Sequence, residues 1–245
     1  MLFKQKILGV ITARSGSKEL PWKNIKLLDG KPLIVYTIEA AQKSKSITDL
    51  IVSTDSEEIA EICRKNGAEV PFIQPAELAA DTSGHLEVMQ YATKFMEERE
   101  GHVYEYVVIF QPTSPFRTTD DIDKTIEKVI ERKADSAFSM CELESGQHPI
   151  KVKKMDGDTI LSYCMEEKIG THRQDFPKAY KRSGAVYVTK RDLLIKENKL
   201  FGDFAVGYVV PAERSVDIDT EYDWILAEYK YKKLKESGFF EEVAK

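Results

Sequence analysis

The chain has 245 residues, of which 42% are hydrophobic, and its formal net charge is −5. This length and composition support one large folded unit, and the acidic balance argues against a general nucleic-acid binder. No run approaches the ~18 apolar residues of a membrane-spanning helix. The apolar stretch near Met1 is too short for a signal peptide. Three widely spaced cysteines form neither a disulfide framework nor a CxxC metal motif, which favours a reducing, cytoplasmic setting.

The first 142 residues alternate between predicted strands and helices. Strands are predicted at the apolar, β-branched runs 6–12, 49–55, 68–73, 106–111 and 136–142. Helices are predicted at 33–43, 56–67, 83–99 and 118–133. Ser56 and Gly67 are the expected caps of the second helix, and Thr119 or Asp120 is the expected start of the fourth. The alternation predicts a three-layer, doubly wound α/β fold with a mostly parallel sheet and helices on both faces.

The pattern changes after residue 142. A hairpin is predicted at 150–166 around Asp156-Gly157, followed by strands at 184–190 and 204–211 and a terminal helix at 220–236. Residues 143–182 are expected to leave the main sheet as an arm within a single domain of residues 1–245. Arms of this kind often make dimer contacts.

A basic loop lies between the first strand and the first helix. It reads ITARSGSKELPWKNIKLLDGKPLI (11–34) and carries Arg14, Lys18 and Lys23 on an otherwise acidic protein. The loop has neither the spacing of a Walker P-loop nor a GxGxxG motif. Three cations on a turn after a strand can still surround a polyphosphate, since arginine and lysine bind phosphate directly. Phosphate binding is therefore favoured over a solvated lysine-rich loop.

Polar segments follow several other predicted strands. In an open parallel sheet, ligands bind beyond the carboxyl ends of the strands. We therefore expect the basic loop to converge with residues 53–55, 111–117 and 216–221 at one edge of the sheet. Gln111 lies at a strand end, where its amide would point into the cleft. The segment HRQDFPKAYKRSG (172–184) is equally consistent with an anion site and with a solvated arm.

Two carboxylates lie two residues apart in SVDIDTE (215–221). On an extended segment Asp217 and Asp219 share a face, and paired carboxylates suit Mg²⁺, which keeps water and phosphate oxygens as further ligands. The alternative role is helix capping by Asp219 or Thr220, with Asp223 in the first turn. Together with a basic loop at the same edge, a metal and phosphate site becomes competitive with capping.

These motifs, in order, resemble the sialic-acid cytidylyltransferases, the CMP-acylneuraminate synthetase family. ITARSGSKELPWKN resembles the family's nucleotide loop, A-R-x-x-S-K-x-x-P-x-K-N. The resemblance continues through VSTDSEEIAEICRKNGAEVPF, PAELAADTS, QPTSPFR, HPIK, HRQDFPKAY with GAVYV, and SVDIDTE. It covers most of the chain and implies a Rossmann-like nucleotidyltransferase fold.

The resemblance also implies an activity. Members transfer CMP from CTP to the anomeric hydroxyl of a nine-carbon, carboxylated keto-sugar and release pyrophosphate, with Mg²⁺ as cofactor and commonly as homodimers. The same reaction on the eight-carbon sugar Kdo is a nearby alternative. A non-catalytic nucleotide-sugar binding module is an alternative of another class, although such a module would not need the carboxylate pair.

Roles for individual residues follow from the same resemblance. Arg14, Lys18 and Lys23 would hold the triphosphate, Asn24 would close the nucleotide loop, and Asp217 and Asp219 would hold Mg²⁺. The catalytic set implied is Arg14, Lys18, Asp217 and Asp219. The expected sugar pocket comprises Gln111, Arg173, Tyr187 and an apolar wall at Phe201. Lys151 would reach from the arm into the site of a partner subunit.

Three departures from the family pattern stand out. Gln74 occupies the position before PAELA where the family usually has arginine, so one cation near the nucleotide is missing. Gly84-His85 follows DTS, which places His85 as a candidate contact to CTP. The family's R-x-N-G is replaced by residues 181–184, KRSG. The added cation and missing amide make legionaminic or pseudaminic acid plausible alternatives to N-acetylneuraminate.

Overall fold

The computed structural model describes residues 5–16, 19–79, 84–166 and 172–244. Its strands are β1 (Ile7–Thr12), β2 (Leu27–Leu28), β3 (Lys31–Pro32), β4 (Asp49–Ser53), β5 (Tyr106–Phe110), β6 (Ser136–Glu142), β7 (Lys153–Asp156), β8 (Thr159–Ser162), β9 (Tyr180–Lys190) and β10 (Ala205–Val209). Its α-helices are α1 (Leu33–Gln42), α2 (Glu57–Lys65), α3 (Ala76–Ala79), α4 (His85–Glu100), α5 (Thr119–Arg132), α6 (Arg191–Lys196), α7 (Glu221–Glu236) and α8 (Phe239–Ala244).

A six-stranded sheet lies at the centre, in the order β10-β6-β9-β5-β1-β4. β1 runs parallel to both β4 and β5, and β10 runs parallel to β6. β9 is antiparallel to both of its neighbours, β5 and β6. The prediction of a mostly parallel sheet is therefore confirmed.

Helices cover both faces of this sheet, because the side chains of β1 alternate between two apolar clusters. Ile7 and Ile11 belong to one cluster, which includes residues of α1, α2 and α5. Leu8 and Val10 belong to the other, which includes Met89 of α4 and residues of α6. Successive strand residues point to opposite faces, so an apolar run produces a strand buried on both sides. The predicted three-layer arrangement is confirmed.

Most predicted boundaries agree with the structure within one or two residues, but several details were wrong. The strand predicted at 68–73 makes only two isolated bridges, from Glu69 to Ile51 and from Ile73 to Thr54. Pro71 lies between them and has no N–H to donate to a ladder. The N-cap of α5 is Thr118 rather than Thr119 or Asp120, because Thr118 forms a capping box with a carboxylate three residues later. Helix α8 was not predicted.

The N-cap predicted for α2 is confirmed, whereas the C-cap is Asn66 and the predicted Gly67 lies one residue beyond it. The Ser56 hydroxyl accepts a hydrogen bond from the Ile59 N–H, which satisfies one unpaired donor of the first turn. Gly67 follows the helix with a φ of 76°, a left-handed conformation that glycine adopts without steric cost.

The hairpin β7–β8 forms a separate two-stranded sheet, as predicted, with Gly157 in its turn. All four residues of β8 are exposed. The organisation into one domain with 143–182 as an arm stays a prediction. Within the residues described, no helix is both long and apolar enough to cross a membrane.

Candidate active site

A cavity of about 600 Å³ opens beyond the carboxyl ends of β1 and β5. Its lining comes from the loop after β1, from the segment around Gln74, from the start of α4, from residues 111–113 and from the segment before α7. Residues remote in sequence thus meet at the edge where the strand order predicts a ligand. The predicted convergence is confirmed for the basic loop, for 111–117 and for 216–221.

Residues 53–55 also reach this edge of the sheet, next to the basic loop, although they do not line the cavity. The Asp55 carboxylate instead accepts hydrogen bonds from the Ser15 N–H and hydroxyl, at 2.7 and 3.0 Å. The Ser53 hydroxyl accepts a hydrogen bond from the Gln74 amide at 2.8 Å. The end of β4 therefore holds the basic loop and Gln74 in place through hydrogen bonds to Asp55 and Ser53.

The basic loop presents two of its three predicted cations to the cavity. Arg14 and Lys23 both line it, while Lys18 lies outside the described residues. Asn24 is 5% exposed, and its side-chain amide donates to the Arg14 carbonyl at 2.9 Å. Asn24 thus closes the loop on itself and fixes the backbone that carries Arg14, which agrees with the role expected for it.

The carboxylate pair faces the same cavity. Val216 and Ile218 are buried, so the alternation of an extended segment turns Asp217 and Asp219 outward into the cavity. The Ile218 N–H donates to the Thr113 carbonyl at 3.0 Å, which fastens this segment to the loop after β5. The two carboxylates therefore lie opposite the basic loop.

Capping of α7 does not account for the carboxylate pair. Thr220 is the N-cap, and its hydroxyl accepts from the Asp223 N–H while the Asp223 carboxylate accepts from the Thr220 N–H. This box satisfies the helix terminus without the side chains of Asp217 or Asp219. Of the two capping candidates in the sequence, Thr220 is correct.

The carboxylates have different surroundings. Desolvation, helped by the charges of Asp219 and Asp223, raises the pKa of Asp217, and the Thr113 hydroxyl and Lys23 oppose this shift. One oxygen of Asp219 accepts a hydrogen bond from the Lys23 ammonium at 2.7 Å. A carboxylate whose charge is disfavoured by its surroundings gains from a cation placed beside it.

A family model for cytidylyltransferases matches residues 8–242 of the chain. The chain belongs to the cytidylyltransferase family. It is 33% identical to a pseudaminic acid cytidylyltransferase of Campylobacter jejuni, over 96% of this chain and 100% of the relative. It is 34% identical to a CMP-N,N'-diacetyllegionaminic acid synthase of Legionella pneumophila, over 91% of this chain and 95% of the relative. The resemblance found in the sequence is confirmed.

The fold has known counterparts among solved structures. A CMP:2-keto-3-deoxy-manno-octonic acid synthetase complexed with CTP matches this cytidylyltransferase with a TM-score of 0.70, at 17% identity, over 95% of this chain and 100% of the other. At that identity the likeness supports the fold alone, which is the nucleotidyltransferase architecture expected from the resemblance.

In this cytidylyltransferase, a glycine allows β9 to approach the carboxylate pair. Gly184 has a φ of 80°, and a Cβ there would lie 2.6 Å from the Ser114 hydroxyl oxygen and 3.3 Å from the Asp217 carboxylate. The Ser114 hydroxyl donates to the Ser183 carbonyl at 3.1 Å, so it is not free to turn away. Within the KRSG motif, the backbone conformation and the close contact with Ser114 require a glycine at position 184.

Arg117 is a buried cation behind the cavity that the sequence did not single out. It is 4% exposed, and its guanidinium donates to the carbonyls of Ala185 and Gln111 and to the Thr37 hydroxyl. Burial lowers the pKa of Arg117, and the charges of Asp121 and Asp217 oppose that shift. Since the intrinsic pKa of arginine is above 12, the group stays a cation at neutral pH. It joins β5, β9 and α1 behind the cavity.

His85 and Gln74 lie at the opposite wall. His85 begins α4 and lines the cavity, and its contact to CTP stays a prediction. Desolvation and the charge of Arg14 lower the pKa of His85, so its ring is neutral at neutral pH. Gln74 is 8% exposed, and its amide is held by Ser53. The wall that lacks the family arginine is therefore lined by neutral side chains.

The predicted sugar-binding residues are only partly brought together. Gln111 lines the cavity, whereas Tyr187 and Phe201 do not. These two rings pack instead with Phe138, with ring centroids 4.7–5.9 Å apart. The side chain of Arg173 lies outside the described part of the chain. The roles expected for Tyr187 and Phe201 in the sugar pocket stay predictions.

Lys151 also lies away from the cavity of its own chain. It belongs to a short 3-10 turn before β7, and its ammonium lies 5.9 Å from the centre of the Phe176 ring. His148, one turn earlier, accepts from the Ile150 N–H through Nδ1 and pairs with the Pro177 carbonyl through Nε2 at 2.7 Å. These hydrogen bonds make Nε2 the protonated nitrogen and attach the start of the arm to residues near Phe176.

Proposed function

We propose that the chain transfers CMP from CTP to the anomeric hydroxyl of a nonulosonic acid and releases pyrophosphate. The observation that carries this proposal is one cavity lined both by Arg14 and Lys23 of the basic loop and by the Asp217 and Asp219 carboxylates. In the reaction the sugar oxygen forms a bond to the α-phosphorus, and the bond from that phosphorus to the pyrophosphate oxygen breaks. The hydroxyl proton is lost to solvent or to a base, and pyrophosphate leaves with the bonding electrons.

Positioning and charge stabilisation are the main requirements of phosphoryl-type transfer. Arg14 and Lys23, with Lys18 from the same loop, would bind the phosphate oxygens and hold the triphosphate in one orientation. Gln111, at the end of β5, would contact the sugar from the cavity wall. Asn24 acts indirectly, because it fixes the backbone of Arg14.

The carboxylate pair fits Mg²⁺. Both donors are oxygens, both face the cavity, and neither is used in capping α7. Among the residues described, no group of three or more His, Cys, Asp or Glu could hold a metal by itself. That agrees with Mg²⁺, which is commonly bound by one or two carboxylates together with waters and phosphate oxygens. When bound, the ion would neutralise charge on the phosphates.

The relatives support the class of sugar. One is named for pseudaminic acid and the other for N,N'-diacetyllegionaminic acid, and each aligns over nearly its whole length. The KRSG sequence at 181–184 points the same way, because it departs from the R-x-N-G of the sialic-acid enzymes. We therefore place pseudaminic and legionaminic acids ahead of N-acetylneuraminate as acceptors.

A pyrophosphate-release assay tests the proposal. CTP is crossed with pseudaminic, legionaminic, N-acetylneuraminic and Kdo acceptors, and ATP, GTP and UTP are controls. Release with CTP and a nine-carbon acceptor is expected. Release with Kdo alone would assign the alternative substrate, and CTP binding without release with any acceptor would favour a binding module. Release with another nucleotide but not with CTP contradicts the proposal.

We also infer a homodimer formed through the arm. Met155 and Ile160 pair across the hairpin and are 61% and 66% exposed, and Tyr163 next to it is 68% exposed. A lone two-stranded hairpin is marginally stable in water. We infer that the hairpin of a second copy packs on these exposed apolar side chains and buries them. Analytical ultracentrifugation should show a dimer that Met155→Asp/Ile160→Asp dissociates, whereas Lys154→Asp on the same hairpin leaves it intact.

The dimer gives the predicted role of Lys151 a direct test. If Lys151 acts in the partner's site, a mixture of Lys151→Ala and Asp219→Ala chains forms some dimers with one complete site. Mixing two inactive variants should then restore pyrophosphate release. No recovery on mixing would assign Lys151 a role within its own chain or none. A cytoplasmic location belongs to the same proposal, in line with the free thiols of all three cysteines.

A further inference from the structure

Lys23 connects the two walls of the cavity. Its ammonium donates to an Asp219 oxygen at 2.7 Å and to the Ile218 carbonyl at 3.0 Å. The Lys23 side chain is 15% exposed, whereas the Asp219 side chain is 67% exposed. The lysine is thus largely enclosed by protein, and its head group rests on a carboxylate proposed as a metal ligand. The 3-10 turn that carries Lys23 is joined in this way to the segment before α7.

A bound metal ion would compete with Lys23 for Asp219, and a bound triphosphate would compete with Asp219 for Lys23. A divalent cation and the Lys23 ammonium are both attracted to the Asp219 carboxylate. A triphosphate and that carboxylate both attract the ammonium. Binding of a metal to Asp219 alone must displace the lysine or accept a repelling cation beside it. A triphosphate offers the ammonium another anionic partner and thereby makes Asp219 available.

We propose that Lys23 couples nucleotide binding to metal binding, by holding Asp219 until the phosphates of CTP attract its ammonium. Lys23 therefore weakens metal binding in the absence of nucleotide, and CTP removes that weakening. This inference rests on the proposed metal role of Asp217 and Asp219. By linkage, the metal must increase CTP affinity by the same factor by which CTP increases metal affinity.

The first experiment measures Mn²⁺ binding without nucleotide by electron paramagnetic resonance. Lys23→Met keeps a long side chain and removes the ammonium. Lys26→Met is the matched control, because Lys26 carries the same charge three residues away, with its ammonium 4.4 Å from the Trp224 ring centre. We expect Lys23→Met to bind Mn²⁺ at least about fivefold more tightly than the wild type. Lys26→Met should stay within about twofold, since a more distant charge is screened.

The second experiment measures CTP binding by calorimetry in EDTA and in saturating Mg²⁺, with no sugar present. The ratio of the two affinities should fall at least about fivefold in Lys23→Met. Formation of Mg²⁺–CTP in solution is the same for every variant and cancels in the comparison. Circular dichroism checks the fold, and Lys23→Gln replaces Lys23→Met if the latter does not fold.

Asp219→Asn separates failure of the inference from failure of the metal site. If Asp219→Asn weakens Mn²⁺ binding but Lys23→Met matches the wild type, the metal site stands and the coupling is refuted. Equal tightening by Lys23→Met and Lys26→Met also refutes it, because net charge would then explain the effect. If Asp219→Asn leaves Mn²⁺ binding unchanged, both the metal site and the inference are wrong.

Discussion

Gly184→Ala should damage the carboxylate pair more than the overall fold. The substitution forces a non-glycine residue to a φ of 80°, which costs about 1–2 kcal/mol. Its Cβ would also lie 2.6 Å from the buried Ser114 hydroxyl and 3.3 Å from the Asp217 carboxylate. Overpacking of this kind costs about 1–3 kcal/mol more. Since Ser114 is hydrogen-bonded, part of the strain should be relieved by displacing Asp217.

Gly30→Ala is the control, because Gly30 has nearly the same φ, 79°, and no atom within 4 Å of the added Cβ. Urea unfolding should therefore show a smaller loss for Gly30→Ala, and the difference measures the contact alone. Pyrophosphate release should fall sharply only in Gly184→Ala, with a higher Mg²⁺ requirement. Adding Ser114→Ala should recover part of both losses. Equal destabilisation by the two glycine variants, with pyrophosphate release intact, would refute this account.

Four further outcomes are expected. Asp219→Ala should abolish pyrophosphate release while the chain still folds, because the Asp219 side chain is 67% exposed. Full release by the folded variant contradicts the metal role. Gln74→Arg should tighten CTP binding about tenfold by adding a charged phosphate contact. Gln74→Met, which loses the same amide, is its control in calorimetry. The pKa of His85 is lowered in the folded chain. As the pH falls below about 6.5, His85 is therefore protonated in the unfolded chain before it is protonated in the folded chain. The free energy of unfolding should decline from pH 7 to pH 5, and His85→Gln should reduce that slope in pH-dependent urea titrations. Arg117→Met should cost about 2–4 kcal/mol in urea unfolding, because it leaves buried acceptors unpaired. A loss below about 0.5 kcal/mol, typical of an exposed site, would count against that role.

The parts of the fold that the sequence predicted are those set by local patterns. β1 and β5 are continuous apolar runs, and α2 begins after a capping serine, Ser56, and is followed by a glycine, Gly67, with positive φ. The short segment 68–73 also reads as apolar, but Pro71 limits its pairing and the sheet makes only two bridges to it. The local sequence pattern determines whether a segment favours an extended conformation. The number of hydrogen bonds that it forms in the sheet depends on the adjacent strand.

The site was predicted as a set of strand ends, because topology brings the ends of parallel strands to one edge. What each side chain does there depends on partners far away in sequence. Lys23 meets Asp219, 196 residues later, and Arg117 meets Thr37, 80 residues earlier. Asp55 follows a strand like the other polar ends, yet it turns back to Ser15. No spacing in the sequence distinguishes these cases.

The charges around the cavity explain why CTP and the metal should depend on each other. The described charged side chains that line it are two cations and three carboxylates, namely Arg14, Lys23, Glu19, Asp217 and Asp219. Lys18 of the same loop would bring the balance to zero. A triphosphate carries about four negative charges, which fixed charges that sum to zero do not offset, and the divalent cation proposed for Asp217 and Asp219 would supply positive charge.

The family arginine replaced by Gln74 would have supplied one more positive charge. CTP affinity in this cytidylyltransferase should therefore depend steeply on Mg²⁺, and Gln74→Arg should make that dependence shallower as well as tighten binding. Calorimetric titrations of CTP over a range of Mg²⁺ concentrations measure both effects. Tighter binding with an unchanged Mg²⁺ dependence would mean that the new arginine contacts CTP without compensating for the missing charge.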